Sequence, residues 1–277
     1  LVTLTQATFA LLLSVLGGAD EEAREVEISR LAAEGSDAIP VLKEVLENGR
    51  WRARQAAIET LGRVGGPAIP ALMSTARHHP QVDGRRLSIR VLGRLLDKEG
   101  CDSLLSLGRM AERGVVATAL GTPPCGPSVI EPFLSDPDPD VRRRAIESYT
   151  MALAVNPESG NLEPIVGLLS DSHRMVKEAA VVSLVKSNPD TLMSVMPTVR
   201  GSRVVLIRAL EGSWPDRFIE PLIVLMKSGS WPEQAAIVDV LGSREVGRAA
   251  LVNLDTKRLH PYVRSRVDYM LEAERGD

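Results

Sequence analysis

The sequence predicts an all-α protein built as an array of about nine two-helix units, and two interleaved phrases carry that expectation. The first is a column of mostly basic residues, Arg24, Arg54, Arg85, Arg113, Arg142, Lys177, Arg203, Glu233 and Arg264, spaced 30, 31, 28, 29, 35, 26, 30 and 31 residues apart. The second is a proline phrase that returns at the same period: Ile39-Pro40, Ile69-Pro70, Glu131-Pro132, Glu163-Pro164, Met196-Pro197 and Glu220-Pro221.

The residues around the column predict one helix per unit. In the Arg54 phrase, Ala57, Ile58 and Leu61 follow at three, four and seven residues. Ser88, Ile89 and Leu92 follow Arg85 at the same spacing, as do Ala145, Ile146 and Tyr149 after Arg142 and Ala180, Val181 and Leu184 after Lys177. After Glu233 come Ala236, Ile237 and, one residue late, Leu241. These positions share one helical face, with a small residue where a neighbouring helix approaches. The prolines read as starts of the second helix of each unit, because the first turn of a helix tolerates a missing N–H. Pro70 and Pro132 lie 62 residues apart, two periods, and Cys101 stands where the skipped one would fall. Asn48-Gly49, Gly65-Gly66-Pro67 and the run from Ser135 to Asp140 supply the turns.

Leu61-Gly62-Arg63-Val64-Gly65 followed by Pro67-Ala68-Ile69-Pro70-Ala71-Leu72, and Ser135-Asp136-Pro137-Asp138-Pro139-Asp140-Val141-Arg142-Arg143-Arg144-Ala145, resemble HEAT repeats of the short bacterial, phycobilisome-lyase-like kind. By its period the resemblance covers residues 20–277 apart from the last few. It implies a right-handed α-solenoid whose second helices line a concave face, serving as a noncatalytic scaffold for a protein or peptide partner. It also leaves a bilin-lyase-like or chaperone-like accessory role as an alternative, and a nucleic-acid-binding HEAT-like protein as a second one. In such arrays the column arginine pairs with an acidic turn residue of its own or the next unit; Asp136, Asp138, Asp140, Asp171 and Glu59 are the candidates. Glu233 reads as an interruption of the column.

Composition agrees with a repeat array. Aromatic residues make up only 3% of the chain, which suits close stacking of helices through small and branched side chains. A net charge of −3, from 36 acidic and 33 basic residues, gives no global field for nucleic acid. Local basic density remains at Arg50-Trp51-Arg52 and at Arg85 and Arg86.

Residues 1–19 stand outside the period and admit two readings. The apolar run Phe9–Leu16, followed by Gly17, Gly18 and Ala19, has the pattern of an export signal cleaved after Ala19, although no Lys or Arg precedes it. The other reading is a capping helix of the array. The first places the protein outside the cytoplasm, in the periplasm or beyond it in a bacterium; the second leaves it cytoplasmic. The run is too short to span a bilayer.

Candidate chemistry is sparse. Cys101 and Cys125, 24 residues apart without a C-x-x-C or a histidine at ligand spacing, exclude an ordinary zinc motif and read as two buried thiols, with a disulfide as the alternative in an oxidising compartment. His78, His79, His173 and His260 fall at helix ends and turns, and the sequence contains no P-loop, G-x-S-x-G or H-E-x-x-H. The expectation is therefore no enzyme, no cofactor and no metal. Two near-copies, Ser213-Trp214-Pro215-Asp216 and Ser230-Trp231-Pro232-Glu233, read as capping boxes, and their tryptophans as packing over the preceding turn. Trp51 holds a comparable place before Arg54. Trp51, Trp214 and Trp231, with Arg85 and Arg86, are the candidate partner contacts, since tryptophan and arginine dominate binding hot spots. The short, Pro/Gly-rich stretch Gly114–Pro127 is expected to kink the array or open a notch.

Overall fold

A computed structural model describes residues 6–97, 100–107, 112–121, 125–155, 161–199, 203–212 and 214–272. Eighteen helices, and no strand, occupy those residues. The odd-numbered helices carry the proline phrase or stand in its place: α1 (Gln6–Gly17), α3 (Ile39–Asn48), α5 (Ile69–His78), α7 (Cys101–Leu107), α9 (Pro127–Ile130), α11 (Glu163–Gly167), α13 (Pro189–Val195), α15 (Ile219–Ser228) and α17 (Glu245–Val252). The even-numbered helices carry the column: α2 (Glu21–Ala33), α4 (Trp51–Val64), α6 (Val82–Leu95), α8 (Arg113–Leu120), α10 (Pro139–Val155), α12 (Arg174–Ser187), α14 (Val204–Arg208), α16 (Trp231–Gly242) and α18 (Pro261–Glu272). Arg203, just before α14, is the one column residue outside its helix.

The chain divides into two compact units, one of residues 1–133 with 151–159, the other of residues 134–150 with 160–277. In the first, each column helix lies on the next, α2 on α4, α4 on α6 and α6 on α8. In the second the same holds for α12, α14, α16 and α18.

In the first unit the phase of the repeat differs from the sequence reading. The arginine phrase reads as the first helix and the proline phrase as the second; in the first unit α3 packs on α4, α5 on α6 and α7 on α8, so the proline helix there opens the pair, whereas in the second unit α12 and α16 pack on the proline helices on both sides of them, α11 and α13, and α15 and α17. The proline assignments also shift in two places. Pro132 and Pro197 lie in 3-10 turns that follow α9 and α13, while Pro127 and Pro189 open those helices. The early positions of a 3-10 turn need no N–H donor, so the ring sits there without loss.

The predicted core face is the observed one. Ala57, Ile58, Leu61, Ile89, Leu92, Ala145, Ile146, Tyr149, Ala180, Val181, Leu184, Ala236, Ile237 and Leu241 are all buried. The glycine eight or nine residues after the column has its own cause. A Cβ on Gly93 would stand 2.8 Å from the Cβ of Ala119 on α8, and one on Gly242 2.8 Å from the sulfur of Met270 on α18. Glycine at 93 lets α6 and α8 approach through their backbones, and glycine at 242 leaves room for the Met270 side chain of α18.

Helix α1 packs on α2 and α4, with Leu12 and Leu16 buried and Gly17 close to Ala53. The two cysteines, read as free thiols, form a disulfide instead, joining the first residue of α7 to the chain just before α9. Both are buried and their Cα atoms lie 5.7 Å apart. The kink or notch expected at Gly114–Pro127 depends on residues 122–124, which lie outside the described residues; before them α8 is an eight-residue helix with an interior face of Val115, Val116, Ala117, Ala119 and Leu120.

Candidate functional site

Arg24, Arg54, Arg85, Arg142 and Arg203 of the column make internal bonds of two kinds. Their first bond runs backward to the turn that precedes their own helix. Nη1 of Arg24 donates to the carbonyl of Gly18 (2.8 Å), Arg54 to Gly49 (3.0 Å), Arg85 to His79 (2.8 Å) and Arg142 to Asp136 (2.7 Å). Each guanidinium thereby satisfies a carbonyl left without an intrahelical partner at the end of the proline helix, and ties the two helices of one unit together.

Their second bond runs forward to the next unit. Nη2 of Arg54 donates to Oε1 of Gln81 (2.9 Å), and Nη2 of Arg85 to Oε1 of Glu112 (3.0 Å), whose Oε2 accepts from Nε of Arg86 (2.8 Å). In the second unit Arg142 grips Asp171 with two bonds of 2.8 and 2.9 Å, and Arg203 grips Glu233 with two of 2.8 and 3.1 Å. The sequence expectation of a ladder is met, with Asp171 as foreseen. Glu59 instead pairs with Arg63, and Asp140 with Arg143 and Arg144. Glu233, read as a break in the column, is the acceptor of the arginine one unit earlier.

These bonds set the charge states. Arg203 holds the Glu233 carboxyl at about 2, against the burial that opposes its charge and with help from the Ser230 N–H. At Asp171 burial works against the charged form, but the Arg142 fork and the His173 N–H outweigh it and lower the pKa. Because the Glu233 side chain is only 7% exposed, little solvent screens the pair. A carboxyl with a folded pKa below its unfolded value stabilises the fold fully above the unfolded pKa of about 4.5 and loses that contribution as pH falls toward about 2. Glu233→Gln is therefore expected to cost on the order of 3 kcal/mol at neutral pH, and the wild-type and variant stabilities should converge as the pH is lowered through that window. Urea titrations of the full chain at pH 2, 3, 4.5 and 7 check this, roughly spanning the window; parallel curves at every pH would remove Arg203–Glu233 from the account.

The five candidate partner contacts end in different places. Trp51 and Trp231 are about half exposed. Trp214 is buried, with the Arg244 guanidinium 4.7 Å from its ring centroid and its carbonyl accepting from Arg244 Nη1, so its ring is part of the interior. Arg85 and Arg86 are both held by the buried Glu112 carboxylate. Ser213 lies outside the described residues, and the chain after Trp214 forms a 3-10 turn at Asp216–Phe218 that leads into α15. The second capping box is present: Glu233 accepts from the backbone N–H of Ser230 at 2.8 Å.

Trp231 does not sit alone. Its ring stacks on His260 with centroids 5.4 Å apart and meets Tyr262 edge-on at 5.7 Å. Tyr262 and Tyr269, two turns apart on α18, are 53% and 64% exposed, and Arg266 between them pairs with Asp239 of α16. Aromatic residues are scarce in this chain, yet three of them stand uncovered on two neighbouring column helices, a grouping the sequence reading did not find because it follows from the packing of α16 on α18. In the first unit a cleft of about 330 Å³ is lined by Arg77, His78, His79, Arg85, Leu107 and Glu112, among others. His79, read as an ordinary helix-end residue, is buried: its Nδ1 accepts from the Gln81 N–H, which leaves Nε2 as the donor to the Leu46 carbonyl. No group of three or more metal-ligating side chains occurs among the described residues, and no described helix is long and apolar enough to cross a membrane.

Alternating helix pairs, four of them clamped by Arg24, Arg54, Arg85 and Arg142, define an all-α helical-repeat protein. Residues 9–93 match the family model of HEAT repeats. Among solved structures, the chain is similar to Kap95p as seen in its complex with RanGDP, at 12% identity and a TM-score of 0.51 over 96% of this chain and 50% of Kap95p. It is also similar to the Escherichia coli protein YibA, at 16% identity and a TM-score of 0.49 over 86% of this chain and 92% of YibA. A third similarity is to the CpcE–CpcF complex of phycocyanin lyase from a Nostoc species, at 20% identity and a TM-score of 0.37 over 85% and 93% of the two chains. A comparison with curated proteins gives no match. At these identities the likeness speaks to fold alone.

Proposed function

We propose that this chain is a noncatalytic scaffold that holds a protein or peptide partner on the exposed surface of its column helices. One observation carries the reading: the charged groups of the repeat junctions are engaged with one another, whereas the scarce aromatic side chains Trp231, Tyr262 and Tyr269 are left at the surface. Interiors that spend their ionic groups on internal pairs build a platform, and exposed tryptophan and tyrosine are the side chains most enriched where proteins meet.

Two features bear on where it works. The burial of Leu12 and Leu16 against α2 and α4 supports α1 as a structural helix of the array, the capping reading of residues 1–19. The Cys101–Cys125 disulfide supports folding in an oxidising compartment.

The test is chemical crosslinking of the full chain in an extract of its own cells, followed by mass spectrometry of the crosslinked peptides. The expected result is a protein partner whose crosslinks fall on the column helices. A tightly held pigment or nucleic acid, with no crosslinked protein, would overturn the scaffold reading.

A further inference from the structure

The cleft of about 330 Å³ in the first unit is lined by two kinds of surface. Ala76, Ile89 and Leu107, all buried, make one part of it apolar, and the exposed Arg77 and His78, at the end of α5, make another part cationic and polar. Glu112 is the one carboxylate among the described lining residues, and it is engaged from two sides, Oε1 by Arg85 and Oε2 by Arg86. Arg85 is engaged as well, because its Nη1 also donates to the carbonyls of His79 and Pro80. Arg77 and His78 differ: neither makes a side-chain hydrogen bond or ion pair among the described residues. Asp83 and Asp102 are the other acids on the described helices that border the cleft, and neither lines it. Three guanidinium groups, of Arg77, Arg85 and Arg86, thus stand against one carboxylate, and the local field is positive in a chain whose net charge is −3.

We propose that this cleft binds a small organic anion: one phosphate, sulfonate or carboxylate group carried on a compact apolar body. The Arg77 guanidinium supplies a planar fork of donors that matches such a group, and the His78 ring supplies a further N–H. The apolar body lies against Ala76, Ile89 and Leu107, where its burial adds to the affinity without adding charge. The volume is near the small end of the range of ligand pockets, about 300–1,000 Å³, which limits the occupant to a small molecule. Little of the wall has to be ordered on binding. The buried Glu112 carboxylate is held by two arginines, and the buried His79 ring by the Gln81 N–H and the Leu46 carbonyl, so the polar side of the cleft is formed in advance.

This site goes beyond the partner-binding reading above and does not depend on it. The experiment titrates the full chain with phenyl phosphate at neutral pH and reads binding by isothermal calorimetry. Inorganic phosphate, which lacks the apolar body, and benzyl alcohol, which lacks the charge, are the comparison ligands. The expected result is that phenyl phosphate binds more tightly than either, and that its affinity falls roughly tenfold or more in the Arg77→Gln/His78→Gln double variant. Arg90→Gln/Arg94→Gln is the control for general electrostatics: both arginines are exposed on α6 and neither lines the cleft, so the affinity should change less than about twofold. Because Arg77 and His78 are exposed, their variant should keep the wild-type melting temperature, which separates lost contact from lost fold. No binding of phenyl phosphate, equal binding of inorganic phosphate or of benzyl alcohol, or an equal change in the two double variants overturns the proposal.

Discussion

Leu61→Asp should unfold most of the first unit. Leu61 is fully buried in α4, the helix on which α1, α2, α3 and α6 all pack. The substitution removes a buried aliphatic side chain and leaves a carboxylate in its place with no partner. Together these costs exceed about 4 kcal/mol, a large share of the 5–15 kcal/mol that stabilises a typical domain. In a repeat array each pair is stable only through its neighbours, so the loss spreads outward from α4. Hydrogen exchange followed by mass spectrometry should show protection lost across α1–α6 and retained in α14–α18. Gln55→Asp, on the exposed side of the same helix, is the control and should change little. Unaltered protection of α4 in the Leu61 variant would mean that the buried face has been assigned to the wrong residues.

Opening the disulfide is the second large effect. Cys101 and Cys125 close a loop across α8, and the 24-residue separation corresponds to about 3 kcal/mol of stability through restriction of the unfolded chain. Reduction, or the Cys101→Ser/Cys125→Ser double variant, should lower the urea midpoint of the first unit. The reduced and double-variant proteins should then melt together, since both lack the same link. Thiols that react with a maleimide in the folded, unreduced protein would contradict the bond itself.

The fold was legible because the period is written in large, redundant signals. Each unit repeats a basic residue, a small residue, an aliphatic and a leucine on one face, and errors at Glu233 or Lys177 do not disturb the count. The ladder was legible in kind but not in its partners. Gln81, Glu112, Asp171 and Glu233 accept from arginines 27 to 30 residues earlier, yet they occupy no common motif. Their only shared property is that packing of successive helices brings them to the same point in space. The phase of the first unit's pairs was hidden for the same reason: the backward bond from Arg85 to the His79 carbonyl, which ties α6 to the helix before it, has no signature in residue type.

The paired tryptophans show the limit of local reading most plainly. Ser213-Trp214-Pro215-Asp216 and Ser230-Trp231-Pro232-Glu233 differ little in sequence, but the first leads through a 3-10 turn into the proline helix α15 and the second opens the column helix α16. Trp214 is therefore sealed beneath Arg244, and Trp231 faces outward against His260 and Tyr262. The disulfide stood only as the alternative to two buried thiols because two cysteines without a motif carry no geometric information until the helices around them are placed.

The ladder also has a direction. In the forward bonds of Arg54, Arg85, Arg142 and Arg203 the cation belongs to the earlier repeat and the acceptor to the later one. A cut between α14 and α16 would leave the upstream piece with an orphaned Arg203 at its new end and the downstream piece with a bare Glu233. The two fragments from this cut would thus carry opposite charges at the severed Arg203–Glu233 contact, like the poles of a broken magnet.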